Sequence, residues 1–187
     1  MGIDQKNKVV NVDIDNVLND FTDTVLRLYN QDHGTSFSVS NITTYDIAHS
    51  IGIHPEEFVT NYIDHPRTAE YCKPLSGSQE GLGYLNDRYT VNVVTARSWK
   101  QLLNIEDFFG NYFPYIKSSQ IIRCVDKYKV PADILIDDCL SNIMSWPCGR
   151  ILLDYPWNRG INDSEHLIFR VPDWKGIINI VNLMLKS

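Results

Sequence analysis

Short apolar runs alternate with amphipathic stretches along this chain, and the alternation predicts an α/β fold built on a doubly wound, mostly parallel sheet. The first run, Val9–Val12, reads as a strand. Behind it Leu18, Phe21, Val25, Leu28 and Tyr29 recur at helical spacing and predict a helix over residues 18–31. Beyond residue 75 the alternation is regular: helix 78–87, strand 90–96, helix 98–113, strand 119–125, strand 132–138, a short helix 140–146 and strand 150–155. An extended piece at 167–171 precedes a last helix over 174–186, opened by Asp173 as N-cap.

Residues 34–75 break this pattern. They mix Ser, Thr, His and Pro around one weak helical stretch, "HPEEFVTNYIDH", where Pro55 suits the first turn and Glu56 and Glu57 suit the helix dipole. No strong strand is visible there. Residues 17–75 are therefore expected to form a helical insertion, a lid over a core made by residues 1–16 and 76–187.

Composition narrows the class. The 187 residues, 43% of them hydrophobic, suffice for one core carrying an insertion. A formal charge of −6, with the acids in no long block, argues against a sequence-independent nucleic-acid binder. The apolar run that starts near the N-terminus stops at Asp13, too soon for a signal peptide or membrane helix, so a cytoplasmic location is expected. The four cysteines lack CxxC spacing and read as buried thiols; the five histidines, at no metal-binding spacing, read as surface groups.

Three strands end in polar residues. The first ends "VDIDN", the second "VVTARS" and the fourth "LIDD", which brings Asp13, Asp15, Thr95, Asp137 and Asp138 to the carboxyl edge where doubly wound sheets bind ligands. Four carboxylates at one edge would repel strongly in a cleft, so a cation is required among them. Mg²⁺ suits such hard oxygen ligands and leaves positions for water and a phosphate.

"DIDNVLNDF", "VVTARS", Lys127 in "DKYKVPAD" and "ILIDD" resemble, in order and spacing, the four motifs of the haloacid dehalogenase (HAD) superfamily of phosphotransferases. The opening motif, the "KVPADILIDD" segment and the C-terminal "DWKGII" are similar to its 5'(3')-deoxyribonucleotidase branch. The resemblance implies a HAD-like, Rossmann-type sheet with a small cap. It also implies a phosphatase that hydrolyses (deoxy)nucleoside monophosphates through an aspartyl-phosphate.

Phosphate monoesters are very slow to hydrolyse, so a nucleophile, a proton donor and charge neutralisation are all needed. Asp13 would attack phosphorus. Asp15, two positions on and on the same side of an extended chain, would protonate the leaving oxygen and later deprotonate water. Lys127 would neutralise both the phosphate and Asp13, with Thr95 and the amide of Ala96 on the phosphoryl oxygens. The resemblance implies that Mg²⁺ is held by the Asp13 side chain, the Asp15 carbonyl and one of Asp137 and Asp138, with Asp138 favoured and Asp137 orienting the metal's waters. Arg97 either adds a contact there or faces solvent. Asn16 stands where the family usually has Gly; Asn is the next residue to tolerate the left-handed region.

The resemblance also places Phe21 and the segment Tyr45, Asp46 and Ile47 against nucleobase and sugar, although Phe21 and Tyr45 could equally pack the lid's own core. An apolar wall would favour a 2'-deoxyribose, because it offers no partner to a 2'-hydroxyl. The expected partner is a small nucleotide, with at most a second copy of the chain as a homodimer, and no stable nucleic-acid complex or membrane. Alternatives are a sugar phosphate, a nucleic-acid 3'-phosphate end, or a nucleotide-binding protein without turnover. The excess of acids over bases in residues 17–75 counts against the duplex end, and the presence of Asp15 and Lys127 against the loss of turnover.

Overall fold

A computed structural model describes residues 5–97 and 99–185. Its centre is one sheet of six strands: β1 (Val9–Val12), β2 (Thr90–Thr95), β3 (Ile121–Arg123), β4 (Ile134–Asp137), β5 (Gly149–Leu153) and β6 (Ile168–Val171). The order is β3-β2-β1-β4-β5-β6, and every neighbouring pair is parallel. Parallel strands covered on both faces read as continuous apolar runs, and all four residues of β4 are buried. The extended piece near residue 168 is thus a full sheet member rather than a connector.

Strand order reverses between β1 and β4, with Val12 paired to Val93 on one side and Ile136 on the other. The chain leaving β1 and the chain leaving β4 therefore emerge side by side, and the amide of Asp13 bonds the carbonyl of Ile136 at 3.0 Å. That crevice is where ligands bind in open α/β sheets.

The helices are α1 (Phe21–His33), α2 (Ile47–Ile51), α3 (Pro55–Phe58), α4 (Pro66–Tyr71), α5 (Ser78–Arg88), α6 (Trp99–Tyr112), α7 (Leu140–Ser145) and α8 (Trp174–Leu185). Ser98 and Lys186, expected at the ends of α6 and α8, lie outside the described residues. Asp173 caps α8 as expected, accepting from the amide of Gly176 at 2.8 Å.

Helix α1 starts three residues later than its periodicity predicts, for a tertiary reason. Residues 14–19 form a tight loop whose carbonyls have partners outside a helix. Val17 accepts from the Trp174 indole at 2.7 Å, and Leu18 accepts from the Leu75 amide at 2.9 Å and the Ser78 hydroxyl at 3.0 Å. The single weak helix expected around residues 54–65 is instead α3 followed by a π-type turn, Val59–Ile63, with α4 beyond it.

Residues 21–72 carry a hydrophobic cluster of their own, with Phe21, Val25, Leu26, Phe58 and Tyr62 among its buried members. The main cluster joins β1, β2, β4 and β5 to α5, α6 and α8, and a smaller one packs α7 on the other face of β4 and β5. Of the cysteines Cys72 and Cys139 are buried as expected, whereas Cys124 is half-buried and Cys148 exposed. His33, His49, His54 and His65 are exposed and His166 is half-exposed. Among the described residues no helix is long and apolar enough to cross a membrane.

Trp174 ties α8 to both α5 and the loop after Asp13. Its ring lies so close to Gly81 of α5 that a methyl group there would overlap it. Gly81→Ala is expected to lower unfolding free energy by about 1–3 kcal/mol through overpacking, measured by denaturant titration. An unchanged midpoint would show that the ring is not confined as described.

Candidate active site

Asp13 leaves β1 at the strand-order reversal, and Asp137 and Asp138 close β4 beside it. All three are buried, and one oxygen from each lies within 4.8 Å of the others. Lys127, on a single 3-10 turn after β3, inserts its ammonium between two of them, 2.5 Å from Asp13 Oδ1 and 2.7 Å from Asp137 Oδ2. Its neighbour Lys129 pairs with Asp126 at the surface.

The two adjacent acids have different surroundings. Both oxygens of Asp137 have donors: Oδ1 accepts from the Cys139 amide at 2.8 Å, and Oδ2 accepts from Lys127 and from Asn142 Nδ2 at 3.0 Å. Asp138 Oδ2 accepts from Asn16 Nδ2 at 3.0 Å, but its buried Oδ1 has no protein donor. Such an orphaned buried oxygen requires an explanation, and a cation among the three acids supplies one. Asn16 reaches Asp138 because its backbone is left-handed, φ +58°, the conformation anticipated for this substitution of the usual Gly.

One ammonium does not balance three buried carboxylates. Burial pushes the Asp13 carboxyl up to about 7; Lys127 opposes the shift, while Asp137 and Asp15 add to it. Asp138 is likewise held well above the ordinary carboxylate range, first by burial and then by Asp137 and Asp13. Burial works against the charge on Lys127, but the two carboxylates beside it raise its pKa and keep it protonated. The donor set is hard, oxygen-rich and under-neutralised, and it fits a divalent ion such as Mg²⁺.

The acid cluster has three members rather than four. The Asp15 carboxylate is engaged by Arg97, whose Nε lies 2.7 Å from Oδ2 and whose Nη2 bonds Oδ1. Arg97 therefore does not face solvent, its partner being the Asp15 carboxylate, and its guanidinium carbon sits 5.0 Å from the Phe21 ring centre. Thr95 ends β2 in a buried position, and its hydroxyl oxygen accepts from the Arg97 amide at 3.1 Å.

From Asp15, Ala96 and Arg97 a cleft of about 370 Å³ runs under residues 42–63. Phe21, Tyr45, Asp46 and Ile47 all lie on its wall. Phe21 and Ile47 also belong to the buried cluster of residues 21–72, whereas Tyr45 is 61% exposed. The Asp46 carboxylate caps α2, accepting from the His49 amide at 3.0 Å. Trp157, absent from the sequence reading, completes the wall and stacks on Tyr155 with ring centres 4.3 Å apart. Asn158 fixes this turn by donating to the carbonyls of Asp138 and Leu153, both at 2.8 Å. Only the proximity of "DYPWN" to a strand end could have signalled it.

The architecture and acid-rich rim define a HAD-type hydrolase. A magnesium-bound HAD-hydrolase from Bacillus subtilis superposes with a TM-score of 0.61 over 94% of this chain and 98% of its own, at 13% identity. A HAD family hydrolase from Deinococcus radiodurans, with bound phosphate and sodium, gives a TM-score of 0.66 over 97% of each chain at 12% identity. More narrowly, the chain belongs to the family described as "5' nucleotidase, deoxy (Pyrimidine), cytosolic type C protein", whose profile matches residues 7–187. It is a phosphatase of the 5'-nucleotidase type. Relatives include the 5'(3')-deoxyribonucleotidases of Bacillus subtilis, 29% identical over 91% of this chain and 96% of theirs, and of Clostridium acetobutylicum, 24% identical over 87% and 88%.

Asp13 titrates near 7 when folded but at its ordinary 3.8 when unfolded, so between these values the folded chain binds more protons. Its stability in EDTA should therefore fall as pH rises through that window. Mg²⁺ competes with those protons and should flatten the slope, raising the thermal midpoint most above pH 7, by roughly 5–10 °C at about a hundred times its dissociation constant. A midpoint in EDTA that climbs with pH would refute the protonated cluster.

Proposed function

We propose that the chain hydrolyses nucleoside monophosphates, deoxyribonucleotides by preference, with residues 17–75 acting as a cap that selects the leaving group. The observation that carries this reading is the buried group of Asp13, Asp137 and Asp138 around Lys127, with one Asp138 oxygen unpartnered, linked through Asn16 to the wall of a largely apolar cleft.

Asp13 attacks phosphorus, forming a P–O bond as the ester P–O bond breaks, and Asp15 gives its proton to the departing nucleoside oxygen. Water then attacks the aspartyl-phosphate while Asp15 takes its proton, which releases phosphate and restores Asp13. Lys127 keeps Asp13 oriented and favours its ionised form, and Thr95 and the Ala96 amide receive the phosphoryl oxygens. Asp13, Asp138 and the Asp15 carbonyl would hold Mg²⁺, with Asp137 locked by Lys127, Cys139 and Asn142 behind them. The ion would supply neutralisation of charge on the phosphoryl oxygens.

Phe21, Tyr45, Ile47 and Trp157 offer apolar and aromatic surface for a base and a deoxyribose. A bare sugar phosphate would lose water from its hydroxyls there with few replacements, which favours the nucleotide. The cap's eight acids and three bases repel an extended polyanion, which favours a free nucleotide over a nucleic-acid end.

Asp13→Asn is expected to cut phosphate release by roughly a thousandfold or more while leaving the thermal transition in place. Substantial residual turnover would remove the nucleophile assignment. With Mg²⁺, a panel of deoxy- and ribonucleoside monophosphates should release phosphate faster from the deoxy members, and EDTA should abolish all rates. Equal deoxy and ribo rates would overturn the sugar preference alone.

A further inference from the structure

The carboxylate that must exchange a proton with the leaving oxygen is tied down. Asp15 accepts from Arg97 Nε on Oδ2 and from Arg97 Nη2 on Oδ1, and Asn19 Nδ2 adds a bond to Oδ1 at 3.2 Å. An ionised carboxylate has about four acceptor sites, so three of them are occupied. The pair is mostly buried, with the side chains of Arg97 and Asp15 only 10% and 23% exposed.

Arg97 is fixed by its backbone and movable by its side chain. Its amide donates to Thr95 Oγ1 at 3.1 Å, and its carbonyl accepts from Arg123 Nε at 2.8 Å. The guanidinium lies against the Phe21 ring at the edge of the cleft, next to Ala96. A phosphoryl group received by Thr95 and Ala96 would therefore arrive beside a guanidinium whose fork matches phosphate as well as it matches carboxylate.

We infer that Arg97 is a partner-exchanging phosphate ligand: it holds the Asp15 carboxylate in the arrangement seen here and transfers to the phosphoryl oxygens of a bound phosphomonoester, which frees Asp15 to take up a proton from solvent and turn it towards the leaving oxygen. A mostly buried guanidinium cannot give up one anion without another, so the exchange waits for the incoming phosphate. Asn19 keeps one bond to Asp15 throughout and limits how far the carboxylate turns. The inference rests on the phosphatase reading of the rim, because that reading places the phosphoryl group at Thr95. Arg97, which the sequence left open between a contact and a solvent-facing position, gains a defined role by it.

Equilibrium binding of inorganic phosphate to the Mg²⁺-loaded full chain, followed by calorimetry, tests the exchange without relying on turnover. R97A should weaken phosphate by about tenfold or more, with R97K recovering part of the loss. D15N removes the competing anion and should tighten phosphate several-fold, and D15N/R97A should lose that gain. R97Q, which keeps hydrogen-bonding capacity over Phe21, replaces R97A if the latter has no thermal transition.

The outcomes are distinguishable. Wild-type affinity in R97A and R97Q, or a D15N gain that persists in the double variant, would overturn the exchange and leave the phosphatase reading standing. Failure of the wild-type chain to bind phosphate at all would remove both.

Discussion

The rest of the site depends on one ammonium group. Lys127 lies between Asp13 and Asp137, and without it the ends of β1 and β4 would bring uncompensated carboxylates together in a medium that penalises each of them. The fold makes this contact possible by reversing strand order between those two strands. It also makes the contact incomplete, because one positive charge is set against three buried acids. The remaining imbalance gives the rim its affinity for a divalent ion and for a dianionic substrate drawn in with it.

Around that centre the polar groups differ in how much freedom they keep. Asp137 has every oxygen engaged by Lys127, Cys139 and Asn142 and serves as a rigid backing. Asp138 has one oxygen fixed by Asn16 and one left for a ligand. Asp15 is held by Arg97, the neighbour proposed to exchange partners. This gradation from fixed to releasable matches the roles proposed for them, since metal ligands must stay in place while an acid–base group must change partners within one turnover.

Much of this was legible in the sequence, for an identifiable reason. Phosphoryl transfer needs particular residue types at strand ends, so Asp13, Thr95, Lys127 and the Asp137–Asp138 pair stand out by type, order and spacing. The apolar runs of the central strands were equally plain because both faces of a parallel sheet are covered. What escaped depends on contacts between residues distant in sequence. The late start of α1 follows from carbonyls taken by Trp174, Leu75 and Ser78, and the pairing of Arg97 with Asp15 bridges 82 positions. Between residues 47 and 71 the helices run only four to six residues, too short for periodicity to register, and Phe58 and Tyr62 packing on Tyr29 sets their placement. Trp157 reaches the cleft through the buried amide of Asn158, a bond no local pattern announces.

The bond from the Trp174 indole to the carbonyl of Val17 also orders events during synthesis. The loop that carries Asp15 and Asn16 is braced by a residue 157 positions downstream. A nascent chain on the ribosome therefore contains β1 and residues 17–75 long before the residue that braces the loop has been made. The loop cannot be braced in this way until nearly the whole chain has been made, although the residues it carries are among the first.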